Sequence, residues 1–225
     1  MLRLVLLTLR TYLIGVLMLG ACLFLPAWTL SYWQAWLFIA VVMTSTNAIG
    51  LYLWFKDPAL LERRKRVGPA AEQEGAQKVI ASLLMVACVA LLALCGFDRR
   101  FGWSRMPAFV SVLGNALVVL GLLVTWLVLR VNSYAASTIE TTPGQTVIST
   151  GPYAVVRHPM YSGTLVLLLG IPLALGSWWG LLLIPFLMPI MVWRIRNEEQ
   201  VLERRLLGYV EYETMVRYRL IPHVW

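Results

Sequence analysis

Charged residues fall in blocks along this chain, and the stretches between the blocks are long. No Asp, Glu, Lys or Arg occurs from Thr11 to Phe55, from Val79 to Phe97, from Met106 to Leu129, or from Pro159 to Trp193. A helix needs about 20 apolar residues to cross the hydrocarbon core of a bilayer. The first stretch predicts two spans, with the turn marked by Pro26 and the polar residues Thr29, Ser31 and Gln34. The second and third predict one span each. The last is long for one span and short for two, and Pro172 followed by Gly176-Ser177 sits in its middle. It predicts a helical hairpin over residues 159–193. Pro172, Pro185 and Pro189 each lack a backbone donor, so kinks are expected there. The fold class is all-α: a polytopic integral membrane protein with four transmembrane helices and a C-terminal hairpin. Two regions are expected. Residues 1–130 form a four-span membrane region with a basic loop at 56–78. Residues 131–225 hold a polar loop, the hairpin and cytosolic C-terminal helices.

Composition sharpens this picture. Of 225 residues, 60% are hydrophobic and only 13% charged, and the mean hydropathy is +0.74. A soluble domain carries about 25% charge, so lipid must cover much of this surface. Ten tryptophans and nine tyrosines suit interfacial belts. The net charge of +8 fits a positive-inside bias and attraction to anionic headgroups. No nucleic-acid-binding motif accompanies it, so nucleic acid is not an expected partner. Cys22, Cys88 and Cys95 lie in apolar runs without metal-ligand spacing and read as small helix residues, with no disulfide framework. Arg3 and Arg10 before an apolar run resemble a signal peptide, and Leu19-Gly20-Ala21-Cys22 faintly resembles a lipoprotein cleavage box. The uncharged run continues to Phe55, which favours an uncleaved first span.

The basic residues also orient the chain. Lys56, Arg63, Arg64, Lys65, Arg66 and Lys78 crowd one loop, whereas the turn between the first two spans carries no Lys or Arg. The basic loop is therefore expected in the cytosol. The N-terminus, the segment from Arg130 to His158 and the tail follow it there. A multi-pass protein of the bacterial inner membrane is expected, with its active site facing the cytosol. Arg99, Arg100 and Arg105 run against this pattern.

No charge sits in the middle of a predicted span, which disfavours an ion-coupled transporter. Polar candidates instead gather at the mouth of the hairpin. One cluster is Gly151-Pro152-Tyr153 followed by Arg157-His158-Pro159-Met160-Tyr161-Ser162-Gly163. Pro159 turns the chain at His158 and starts the hairpin. That brings Arg157, His158 and Tyr161 to the membrane surface, either as a site or as an ordinary span start. The other cluster is Arg194-Ile195-Arg196-Asn197-Glu198-Glu199. Arg194 and Glu198 are four apart and share a helix face, in a site or in a salt-bridged helix leaving the bilayer. Glu198 and Glu199 are neighbours that point apart and histidine is scarce, so no metal is expected. In the tail, Gly208 reads as a helix stop. Tyr209, Tyr212 and Val216 share a face that packs a short helix on the hairpin mouth.

Together these residues resemble the isoprenylcysteine carboxyl methyltransferase family and its bacterial relatives. The likeness rests on Gly-Pro-Tyr and Arg-His-Pro-x-Tyr-x-Gly over 151–163, the hairpin, Trp193-Arg194, Glu198-Glu199, and Tyr212 with Arg-Leu-Ile-Pro at 219–222. Phospholipid methyltransferases look broadly similar here. It covers about residues 131–225; the first 130 match only as hydrophobic spans. The resemblance implies S-adenosyl-L-methionine as methyl donor, in a pocket lined by Tyr153, His158, Pro159, Met160, Tyr161 and Glu198. Gln145, Thr146, Val147 and Ile148 would contribute through backbone. Gln145 departs from relatives that carry His there. Arg194 would bind the substrate head group, and Arg194 and Glu198 would carry the catalytic roles. The acceptor would be a lipidic or hydrophobic small molecule entering from membrane lipid, possibly a carboxylate such as isoprenylcysteine. A phospholipid amine N-methyltransferase, a non-catalytic lipid-binding protein and a small transporter are the alternatives.

Overall fold

The computed structural model describes residues 2–138 and 144–225. The part of the expected polar loop at 139–143 lies outside the described residues. Among those described, the chain is helical without strands. α1 is Leu2–Ala27, α2 Trp33–Lys56, α3 Pro58–Arg64, α4 Gly75–Phe101 and α5 Ala108–Val131. α6 is Pro159–Ala174, α7 Trp178–Leu181, α8 Ile184–Arg205 and α9 Tyr209–Met215, with short 3-10 turns at Pro69–Ala71 and Gly151–Ala154.

Among the described residues, four segments are long and apolar enough to cross a membrane: Trp33–Lys56, Gly75–Phe101, Ala108–Val131 and Trp178–Arg205. Tyr12–Ala27 and Pro159–Ala174 are shorter apolar helices. The returning arm of the hairpin is thus one of the long segments, because α8 continues past Trp193 to Arg205. Large apolar side chains point outward, among them Leu17, Met18, Phe109 and Phe186. In water this would be costly; in a bilayer the helices need only satisfy their own backbone. The protein is an all-helical polytopic membrane protein.

The chain divides into two compact units. The first comprises Met1–Leu51, Ala87–Leu122 and Val166–Pro185. Its helices approach closely where side chains are smallest. A Cβ at Gly114 would overlap the backbone of Leu173 and Ala174, and one at Gly170 would meet the Gly114 carbonyl at 2.8 Å. Membrane helices gain little from hydrophobic exclusion, so such backbone proximity supplies the packing. The buried Tyr32 hydroxyl donates to the Leu175 carbonyl at 2.6 Å. Gly176 takes φ +74 at the hairpin tip. Ser177 then caps α7, accepting from the Gly180 amide at 3.0 Å.

The second unit comprises Tyr52–Val86, Leu123–Leu165 and Phe186–Trp225. Asp57 caps α3 through the Leu60 amide, and Pro58 follows at the first helical position. α8 stops at Arg205, and Gly208, with φ +85, lets α9 begin in a new direction. Tyr209 and Tyr212 on α9 pack with Leu206, against Val147, Leu202 and Val216. A separate apolar cluster joins Met191, Ile195 and Leu220 to Tyr161 and Leu165.

Candidate functional site

Pro159 opens α6, as its fixed φ and missing donor favour. The two residues before it are paired with the tail. The Arg157 amide donates to the Tyr218 carbonyl at 2.8 Å and the His158 amide to the Arg219 carbonyl at 2.9 Å. Arg157 and His158 are buried, not displayed at a surface. The reason is Glu199, itself buried. It accepts from Arg157 Nε at 2.9 Å and Arg219 Nε at 2.7 Å, and stands 3.2 Å from His158 Nε2. Three cationic or polar groups thus converge on one carboxylate, which offsets the cost of removing it from water.

Glu198, one residue earlier, faces elsewhere. The Tyr161 hydroxyl donates to Glu198 Oε2 at 2.7 Å and accepts from Arg194 Nε at 3.0 Å. Arg194 is occupied along its whole guanidinium: Nη1 donates to Gln77 Oε1 at 2.9 Å, and Nη2 to Glu72 Oε1 at 2.9 Å and to the Ser137 carbonyl at 3.3 Å. The adjacent glutamates therefore serve two separate networks, one around Glu199 and one around Tyr161.

A third group is aromatic. The Tyr153 hydroxyl accepts from Asn132 Nδ2 at 2.8 Å, and the Tyr153 carbonyl accepts from the Tyr212 hydroxyl at 2.7 Å. Burial pushes the Tyr153 phenol up to about 12, so it stays protonated across the working range. Burial raises Tyr209 and Tyr212 as well. The Tyr209 hydroxyl is buried and has no hydrogen-bond partner among the described residues. A buried hydroxyl left so costs roughly 1–3 kcal/mol.

These groups surround a cavity of about 310 Å³ within the second unit. Gln145, Thr146, Val147, Ile148, Tyr153, His158, Pro159, Met160, Tyr161, Arg194 and Glu198 all line it. The structure thus brings together every sequence-predicted site residue. Sequence reasoning did not anticipate Arg64, Asn132, Tyr134, Thr138, Arg157 and Tyr209 as lining residues, nor Glu72 and Gln77 as partners of Arg194. Arg64 looked like one more positive-inside charge. Instead it is half-buried, donates to the Ala135 carbonyl at 3.0 Å and lies 3.8 Å from Met160 Sδ. Burial lowers its pKa from the usual arginine value. Glu72 carried no distinguishing signal, being one of four acidic residues in the basic loop with Asp57, Glu62 and Glu74. No group of three or more His, Cys, Asp or Glu able to hold a metal occurs among the described residues.

A helical membrane protein with a polar, tyrosine-rich cavity at the start of a hairpin is the class these features define. Residues 109–206 match the family model described as phospholipid methyltransferase. A stretch of 91 residues, 39% of the chain, is 32% identical to the Delta(14)-sterol reductase TM7SF2 of Mus musculus. The match spans 22% of that relative's length.

Proposed function

We propose that the protein is an S-adenosyl-L-methionine-dependent methyltransferase acting on a lipidic or hydrophobic acceptor drawn from the membrane. The observation that carries this is the cavity. It lies mostly within the matched domain and is of a size suited to a small ligand. Tyr209, whose buried hydroxyl has no hydrogen-bond partner among the described residues, is one of its lining residues. Its residues fit the donor's chemistry. Tyr153, Tyr161, Tyr209 and Tyr212 offer ring faces and Glu198 a carboxylate to positive charge, while Arg64 and the loop 145–148 can meet carboxylate and polar groups. When bound, the donor supplies a methyl group already activated on a sulfonium. The chain's own contribution is then positioning and exclusion of water. Tyr161 locks Glu198 and Arg194 in one arrangement, and Glu72 and Gln77 hold Arg194 from the far side.

Arg194 favours a second reading of the acceptor. A free guanidinium would bind a carboxylate with two hydrogen bonds, but this one is already engaged by Glu72, Gln77 and Tyr161. Glu198 accepts from Tyr161 and lines the cavity as its anionic group. That arrangement suits an amine, whose proton Glu198 would take, better than a carboxylate such as isoprenylcysteine. The positive-inside pattern supports a site facing the cytosol.

Calorimetry on detergent-purified protein tests the donor. The expected result is micromolar-range binding of S-adenosyl-L-methionine and of its demethylated product. Absence of both, or binding of a reduced nicotinamide dinucleotide in their place, would sink the reading. Labelled donor with phosphatidylethanolamine, an isoprenylated cysteine or a total lipid extract then separates amine from carboxylate acceptors.

A further inference from the structure

The first unit holds a cavity of its own, of about 240 Å³, lined by Gln34, Asp98, Arg99, Ser104, Arg105 and Gly176 among others. Two features of it are unexplained by packing. First, neither Arg99 nor Arg105 takes part in an ion pair among the described residues. Arg99 donates to the Ser31 carbonyl at 2.9 Å. Asp98 lines the same cavity but forms no ion pair with either arginine among the described residues, its oxygens being held by serines. Oδ1 accepts from the Ser104 amide at 2.7 Å, and Oδ2 accepts from the Ser104 and Ser177 hydroxyls. Second, Gln34 Oε1 is buried and receives no donor among the described residues. The Gln34 amide faces Gly176, where even a Cβ would stand 3.3 Å from Nε2.

The surroundings identify the level in the membrane. Trp28, Trp103, Trp178 and Trp179 are exposed in the same unit. The Arg100 guanidinium lies 5.6 Å from the Trp28 ring, and the Trp103 and Trp179 rings are 6.0 Å apart. Exposed tryptophan beside arginine is the composition of the headgroup layer.

We infer that this cavity binds the headgroup of a phospholipid: its phosphate between Arg99 and Arg105, and a hydrogen-bond donor beside the phosphate, an ammonium or a hydroxyl, on Gln34 Oε1. Arginine recognises phosphate through paired N–H donors. The need for a donor distinguishes ethanolamine and glycerol headgroups from choline, whose trimethylated nitrogen has no N–H to give. None of these residues lines the second unit's cavity, so the inference stands apart from the proposed activity.

Native mass spectrometry of the full chain from nanodiscs tests it, with phosphatidylethanolamine, phosphatidylglycerol or phosphatidylcholine as the probe and glycerophosphoethanolamine as a soluble competitor. The expected result is retention of one ethanolamine or glycerol lipid over choline, reduced at least tenfold by the paired substitutions Arg99→Gln and Arg105→Gln. Both arginines are exposed, so the variant should fold, and unchanged thermal unfolding confirms it. Gln34→Leu should erase the preference over choline while leaving phosphate-dependent retention. Displacement by millimolar glycerophosphoethanolamine keeps the phosphate site but assigns it to a soluble ligand. Equal retention of phosphatidylcholine, or wild-type retention by the double variant, would overturn the assignment.

Discussion

Arg194 and Glu72, 122 positions apart in sequence, form a buried ion pair at 2.9 Å. Removing one partner of such a pair strands the other charge and costs about 3–5 kcal/mol. Glu72→Ala is therefore expected to lower the thermal unfolding midpoint markedly, and to abolish methyl transfer by releasing Arg194 from its place beside Tyr161. Arg194→Lys keeps the charge but cannot reach Tyr161, Gln77 and Glu72 together. It should retain most of the stability and lose about 100-fold in rate, read as methyl transfer at saturating donor. Wild-type turnover in the lysine variant would show that the guanidinium fork has no positioning role.

The Tyr161 hydroxyl links Arg194 to Glu198, accepting from Nε at 3.0 Å and donating to Oε2 at 2.7 Å. Tyr161→Phe deletes that link and leaves the ring packed against Met191, Ile195 and Leu220. A stability loss of about 1 kcal/mol is expected, against a much larger drop in transfer rate. Denaturant unfolding and a labelled-donor assay on the same preparation measure the two. Equal small effects on both would reduce Tyr161 to a core residue.

The paired glutamates separate function from folding. Glu199 holds Arg157, His158 and Arg219, and its pair with Arg157 is almost wholly buried. Glu199→Gln should destabilise the protein by about 3 kcal/mol, whatever the ligand. Glu198 accepts a hydrogen bond from Tyr161 at the cavity wall, so Glu198→Gln should leave the unfolding midpoint close to wild type and weaken donor binding or transfer. Thermal unfolding paired with calorimetry distinguishes them. The reverse pattern would interchange the two roles.

Much of the membrane architecture was legible because lipid imposes a simple rule: charge-free runs of sufficient length become helices. Pro26, Gly176-Ser177, Pro159 and Gly208 marked turns through backbone constraints that depend on local sequence alone. The His158, Tyr161, Arg194 and Glu198 positions were legible through resemblance, since their grouping spans about 40 residues. What stayed hidden was the partnering. Glu72 and Gln77 meet Arg194 only after the chain has folded across more than 100 residues, and no local pattern encodes that distance. The burial of Arg157 was likewise unreadable, because a charge beside a span looks solvated until Glu199 is seen to receive it. Helical geometry did indicate that Glu198 and Glu199 diverge, and they do; it could not say toward which partners.

Tyr209 gives the sharpest test of whether the second unit's cavity takes a ligand. Tyr209 lines the cavity, and its hydroxyl is buried without a hydrogen-bond partner among the described residues. In the ligand-free protein that group contributes a desolvation cost and nothing in return. Tyr209→Phe should therefore leave ligand-free stability unchanged or raise it by up to about 1 kcal/mol. The ring would still pack with Leu206 and Tyr212. If a bound donor or acceptor supplies the missing hydrogen bond, the same substitution weakens its binding by about tenfold, equivalent to about 1.4 kcal/mol. Thermal unfolding without ligand, followed by calorimetry with S-adenosyl-L-methionine, reads both quantities on one sample. Opposite signs for stability and affinity are the expected outcome, since a purely structural tyrosine would lose stability without a selective loss of binding. Unchanged affinity would remove Tyr209 from the ligand's contacts and leave its buried hydroxyl to be explained by packing alone.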